Sequence, residues 1–205
     1  MRFRLGIYGG TFDPPHYGHI RAAQSFLREA KLDALYIMPA AIPPHKQTDP
    51  GSSPEIRLAL THAAFDGLNE RITVSDYEIR SEGVSYTYKT LTHFAGMTDA
   101  ELFFLCGTDM FLTLDTWRHP EIIFSLASVA CVMREDDRRA DDAVADAIAR
   151  YEAQYGARTF VVDHTPLELS SSQIRQILAD GCDTSPYIPE AVHRIIDAYG
   201  LYRGE

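Results

Sequence analysis

Apolar residues along this chain fall into short, nearly continuous runs, separated by stretches in which they recur every three or four positions. The runs Phe3 to Tyr8, Ala34 to Met38, Ile72 to Ile79, Leu102 to Cys106, Val129 to Met133 and Thr159 to Val162 predict strands. Helical spacing predicts helices over 18–30, 55–65, 87–94, 109–116, 120–126, 139–154, 171–179 and 189–199. Strands that are mostly apolar throughout and alternate with helices predict a parallel sheet covered by helices on both faces. Ligands of such sheets sit at the carboxyl ends of the strands. Chemistry is therefore expected near Gly9-Gly10 and Gly107, where two of the runs stop. A Pro-, Gly- and Ser-rich loop at 39–54 is too long for a simple connector and is suspect as functional.

Composition narrows the function more than the fold. The 205 residues favour a single domain, with a helical C-terminal part from about residue 170. A formal net charge of −10 argues against a general nucleic-acid binder, which needs a basic face to displace counterions. Polyanionic substrates would then have to be met by local Lys, Arg and His. No apolar run nears the ~20 residues needed to span a bilayer, and the start of the chain lacks a signal-peptide core, so a cytoplasmic protein is expected. The three cysteines, Cys106, Cys131 and Cys182, read as reduced structural thiols. The acidic stretch 139–154 reads as solvated surface.

The first motif is Gly9-Gly10-Thr11-Phe12-Asp13-Pro14-Pro15-His16-Tyr17-Gly18-His19. Two glycines let the backbone turn sharply after the first strand and approach a ligand. Pro14 and Pro15 hold the next residues extended, so a helix starts only after them. His16 and His19 then fall at i and i+3 on one side of the first turn, where free N–H groups and the helix dipole favour an anion. One capping and one exposed histidine is the plain alternative, and the surrounding glycines and prolines make it the weaker one. A zinc site lacks a third ligand nearby, and the dinucleotide fingerprint is absent. The second motif, Leu169-Ser170-Ser171-Ser172-Gln173-Ile174-Arg175, puts hydroxyls at a helix start, with a planar guanidinium one turn on.

The string G-G-T-F-D-P-P-H-Y-G-H resembles the signature of the HxGH nucleotidyltransferases, and within them the nicotinate-nucleotide adenylyltransferases. The resemblance implies a Rossmann-like α/β fold in which the two histidines bind ATP phosphates and stabilise charge during transfer. It implies backbone contacts to ATP from Gly9, Gly10, Thr11 and Phe12. Ser171, Ser172, Ile174 and Arg175 match the family's I-S-S-T-x-I-R, which serves the β- and γ-phosphates. Leu169 and Ser172 depart from that string, the second with its hydroxyl kept. Arg134 is a further, weaker candidate for ATP.

Other segments resemble the family's acceptor site. Pro39 to Lys46 is similar to P-x-x-x-P-P-H-K, which implies that Lys46 neutralises the acceptor phosphate; spacing alone leaves a solvated loop lysine equally open. Ser85-Tyr86-Thr87 resembles S-Y-T, where the threonine N–H meets the nicotinate carboxylate. Gly107-Thr108-Asp109 resembles G-x-D, with Asp109 towards ribose or simply capping a helix. Trp117, the only tryptophan, matches G-x-D-x(7)-W; it is a pyridine-stacking residue on that resemblance and a core residue otherwise. The backbone N–H of Arg118 follows it. The resemblance thus implies adenylyl transfer from ATP to nicotinate mononucleotide in NAD biosynthesis, with Mg²⁺ carried mainly by the ATP phosphates and a homo-oligomer possible. Nicotinamide mononucleotide and phosphopantetheine are rival acceptors. A non-catalytic ATP sensor and a class I tRNA synthetase fragment are rivals of other classes.

Overall fold

Residue Arg57, on the second helix, is 1% exposed and is surrounded by the ends of two strands; the fold follows from how those strands are laid down. The computed structural model describes residues 2–43, 52–81, 83–133, 138–163 and 170–203. In chain order the elements are β1 (Arg4–Gly10), α1 (Tyr17–Glu29), β2 (Ala34–Pro39), α2 (Pro54–Phe65), β3 (Ile72–Val74), α3 (Tyr77–Arg80), α4 (Thr87–Met97) and β4 (Glu101–Gly107). Then follow α5 (Thr108–Phe111), a 3₁₀ turn at Leu114–Thr116, α6 (Pro120–Leu126), β5 (Ala127–Val132), α7 (Arg138–Tyr155), β6 (Thr159–Val162), α8 (Ser171–Ala179) and α9 (Glu190–Tyr199).

All strand pairs are parallel, in the order β3-β2-β1-β4-β5-β6. This is the doubly wound Rossmann arrangement, whose order reverses between β1 and β4 and leaves a crevice at their carboxyl ends. The alternation of side chains along the strands feeds two cores. Tyr8, Phe103 and Leu105 face α1, α2, α8 and α9, whereas Ile7, Leu102 and Phe104 face α4 to α7. Both faces are buried, so the strands read as unbroken apolar runs rather than alternating ones.

Three predicted elements differ. The run Ile72 to Ile79 pairs with β2 only from Ile72 to Val74. The Ser75 hydroxyl then accepts the N–H of Tyr77, which turns the chain into α3. The helix expected over 109–116 divides into α5 and the 3₁₀ turn. The acidic helix α7 is not all surface: Val144, Ala147 and Tyr151 are buried. The Tyr151 hydroxyl donates to the carbonyl of Phe111 at 2.6 Å, and Arg150 meets Asp115 at 2.9 Å. Helix α7 therefore braces the segment that leads from the end of β4 to Trp117.

Candidate active site

At the end of β1 the chain crosses the top of the sheet and enters α1. The left-handed residue of this turn is Phe12, at φ 51°, and not a glycine. Its ring folds back over Gly10, where an added Cβ would lie 2.8 Å from it. A Cβ on Gly9 would meet only the Phe104 ring, at an ordinary 3.6 Å. Packing within the protein thus explains the glycine at 10 and does not require the one at 9.

His16 is the N-cap of α1, with its Nδ1 accepting the N–H of Gly18 at 3.1 Å. His19 Nδ1 accepts the N–H of His16 at 3.2 Å. In the neutral rings the hydrogen then sits on Nε2, so each imidazole is a donor there. The rings lie 3.8 Å apart, and His19 also packs edge-on against Phe12 at 5.1 Å. The first-turn N–H groups are not the free donors expected. Tyr17 donates to the carbonyl of Tyr187, Gly18 to His16 Nδ1 and His19 to the carbonyl of His16. The backbone donors of this first turn are thus already engaged within the protein.

Helix α8 arrives at the same place. Ser170 is its N-cap, in a reciprocal pair with Gln173, which settles which serine has the plain capping role. The Ser171 hydroxyl donates to the carbonyl of Pro14 at 2.9 Å. Arg175 donates to the carbonyl of Asp13 at 2.7 Å and to the Ser172 hydroxyl at 3.2 Å. Ile174 turns its side chain into the core and gives its N–H to Ser170, so it fixes the helix rather than the cleft. Two junctions 150 and more residues apart in sequence are thus stitched to each other.

Beneath them lies a group that sequence reasoning passed over. The Asp13 carboxylate, 2% exposed, accepts from the hydroxyls of Ser52 and Tyr202 and lies 3.8 Å from Arg175. Arg57 donates to the carbonyls of Thr11, Ala40 and Ala41 at 3.0, 2.6 and 2.8 Å. It ties the exits of β1 and β2 together. Burial pulls the Arg57 pKa down, and the charge of Asp13 works against that. The signal available in the sequence was an arginine among the apolar positions Ile56, Leu58 and Leu60 of a predicted helix.

The acceptor candidates gather on the other side of the crevice. Gly107 ends β4, next to β1 in the sheet, and Asp109 is exposed in the first turn of α5. Trp117 is half-buried, edge-on to Phe104 with centroids 6.4 Å apart. Thr87 opens α4, which has no side-chain cap. The two segments meet where the Arg118 guanidinium lies over the Tyr86 ring at 5.3 Å and His119 packs on Tyr88 at 4.7 Å. The Thr87 segment is anchored from below: Ser85 accepts the N–H of Ala41 at 2.9 Å. Ser85 and Thr90 both hydrogen-bond the buried Glu78, whose carboxyl is pushed up by burial against the pull of these donors. Lys46 and Arg134 lie outside the described residues.

A second cleft, of about 540 Å³, opens at the amino ends of the strands beside Arg4, Glu101 and Arg158. Its charges answer one another, with both arginines within 3.7 Å of Glu101. Among the described residues no group of three or more His, Cys, Asp or Glu is placed to hold a metal ion. Nor is any helix among them long and apolar enough to cross a membrane.

Known proteins resemble this chain in sequence and in fold. The cytidylyltransferase-like family profile matches residues 7–177. A relative from Pseudomonas fluorescens, named as a nicotinate-nucleotide adenylyltransferase, is 37% identical, with 99% of each chain covered. One of the same name from Clostridium botulinum is 33% identical over 98% of this chain and 99% of its own. Among solved structures, the nicotinic acid mononucleotide adenylyltransferase of Plasmodium falciparum, in complex with NaAD, superposes with a TM-score of 0.75. It is 17% identical, over 98% of this chain and 97% of that one, which speaks to the fold alone.

Proposed function

The chain belongs to the nicotinate-nucleotide adenylyltransferases of the cytidylyltransferase-like family, and from that premise we propose that the β1–β4 crevice joins ATP to nicotinate mononucleotide. The reaction is an in-line displacement. A phosphate oxygen of the mononucleotide forms a bond to the α-phosphorus of ATP as the bond from that phosphorus to the bridging oxygen breaks. Nicotinate adenine dinucleotide and pyrophosphate result. The attacking oxygen is already anionic, so no general base or covalent nucleophile is required, and catalysis is positioning plus charge stabilisation.

His16 and His19 supply Nε2–H donors to the phosphate oxygens on which charge develops. Ser172 and Arg175 hold the β- and γ-phosphates. The uncluttered backbone at Gly9 admits the nucleotide. The observation that supports this assignment most is the junction of α1 and α8, held by the bonds from Ser171 to Pro14 and from Arg175 to Asp13. It puts imidazole and guanidinium groups at one strand end. Mg²⁺ would be carried mainly by the ATP phosphates and water, where it would neutralise phosphate charge.

On the acceptor side, Trp117 stacks on the pyridine ring, and the backbone N–H groups of Thr87 and Arg118 take its carboxylate. The adjoining Tyr86 and Arg118 support the pairing of these two segments. A carboxamide would turn its own N–H₂ towards a donor, and each unpaired buried group costs ~1–3 kcal/mol. That corresponds to roughly 5- to 150-fold in favour of the acid. The test is pyrophosphate release on mixing the protein with ATP, Mg²⁺ and either mononucleotide. The acid is expected to turn over well and the amide poorly. Equal turnover of the two would remove the acceptor assignment, and no turnover of either would leave a nucleotide sensor.

A further inference from the structure

Glu78 is the residue of the short helix α3 that turns inward, and it is 9% exposed. Thr90, itself buried, donates to its Oε1 at 2.6 Å. Ser85 hydrogen-bonds the same carboxyl group. The Ser85 oxygen already accepts the N–H of Ala41 at 2.9 Å, so its own hydrogen is the one that reaches Glu78. Ser85 and Thr90 bracket the start of α4, with Tyr86 and Thr87 between them.

A buried carboxyl group is a costly way to hold a turn, since an apolar side chain fills the same space without desolvating a polar one. What it supplies is direction. Helix α4 opens on Tyr86 with no side-chain cap, unlike α1 and α8, whose caps His16 and Ser170 bind their own first turns. The entry to α4 is set from outside instead. The N–H of Ser85 goes to the carbonyl of Ile42 at 3.1 Å, and Glu78 clasps the turn through Ser85 and Thr90. The body of the helix is held separately, by Leu91 and Phe94 in the core and by the Tyr77 ring stacked on His93 at 4.0 Å. Losing the clasp therefore loosens the first turn and leaves the helix in place.

We infer that Glu78 is a positioning residue for the acceptor: through Ser85 and Thr90 it aims the backbone N–H of Thr87 at the nicotinate carboxylate, and so sets the preference for acid over amide. The inference rests on the reading that Thr87 meets that carboxylate. Glu78→Met keeps the length of the side chain and deletes both acceptor oxygens. It is expected to lower kcat/KM for nicotinate mononucleotide about tenfold, the order of one hydrogen bond to a charged group, with kcat/KM for nicotinamide mononucleotide and KM for ATP unchanged within about twofold. The acid-over-amide ratio falls by the same factor. Glu78→Gln keeps one acceptor oxygen and should recover at least part of the ratio.

A structural role alone would lower kcat/KM for both mononucleotides alike and raise KM for ATP with them, leaving the ratio intact. That result overturns the inference, as does an unchanged ratio in folded Glu78→Met, or a ratio in Glu78→Gln no better than that of Glu78→Met. If Glu78→Met does not fold, Thr90→Val removes one donor from the same carboxyl group and is held to the same outcomes. If the unaltered protein takes acid and amide equally, the reading of Thr87 itself fails, which is distinguishable from a clasp that leaves a real preference untouched.

Discussion

His16 and His19 stand with their rings 3.8 Å apart at the head of α1, and each uses Nδ1 to accept a backbone N–H of that same turn. The cap that starts the helix is therefore made from the two side chains proposed to serve the phosphates. This arrangement fixes the tautomer and the ring orientation before any substrate arrives, so little reorganisation remains for the reaction step.

His19→Ala is expected to lower kcat by ~10²–10³. The same substitution removes an interaction within the cap, at a cost of ~0.5–2 kcal/mol, and should leave the protein folded. Turnover at saturating substrates, with circular dichroism as the control, decides it. Full turnover in the folded variant would remove the catalytic role.

Trp117→Ala should act on one substrate only. Ring stacking is worth ~1–3 kcal/mol per base, so KM for nicotinate mononucleotide should rise roughly 5- to 150-fold while KM for ATP holds. Trp117 is half-buried against Phe104, and a purely structural role would affect both substrates together. Steady-state kinetics with each substrate varied in turn separates the two.

Arg57→Met keeps much of the side-chain volume and deletes the donors to Thr11, Ala40 and Ala41. The carbonyl of buried Ala40 and those of the half-buried Thr11 and Ala41 lose a partner, and Asp13 loses a neighbouring positive charge. A loss of about 3 kcal/mol or more is expected in urea unfolding. A loss below about 1 kcal/mol would mean that the strand exits do not depend on this side chain.

Glu78 makes stability depend on pH. Burial raises its carboxyl above the ordinary value of 4.5, against the pull of the Thr90 and Ser85 hydrogen bonds. Between the ordinary and the raised value the folded protein binds more protons than the unfolded chain. The contribution is thus complete below the ordinary value and is lost as pH rises through the folded one. Glu78→Gln should abolish this slope, measured as unfolding free energy at a series of pH values. An identical slope in the variant would reassign it to another group.

What the sequence determined on its own was local. Apolar runs gave the strands because both faces of this sheet are covered. The string from Gly9 to His19 carried its turn and helix start within eleven positions, and Ser170 to Arg175 did the same for α8. Capping, turning and helical spacing are short-range effects, so neighbouring residues suffice to reveal them. Even there, the left-handed residue proved to be Phe12, since the need for it comes from the ring's place over Gly10. Only the tertiary structure decided that Arg57 would clasp two strand exits, that Asp13 would gather Ser52, Tyr202 and Arg175, and that α7 would brace the approach to Trp117. Those partners lie from 17 to 189 positions apart. Their pairing is enforced by the burial of charge and polar groups that must find one another once water is excluded, a demand that appears only when the chain has closed.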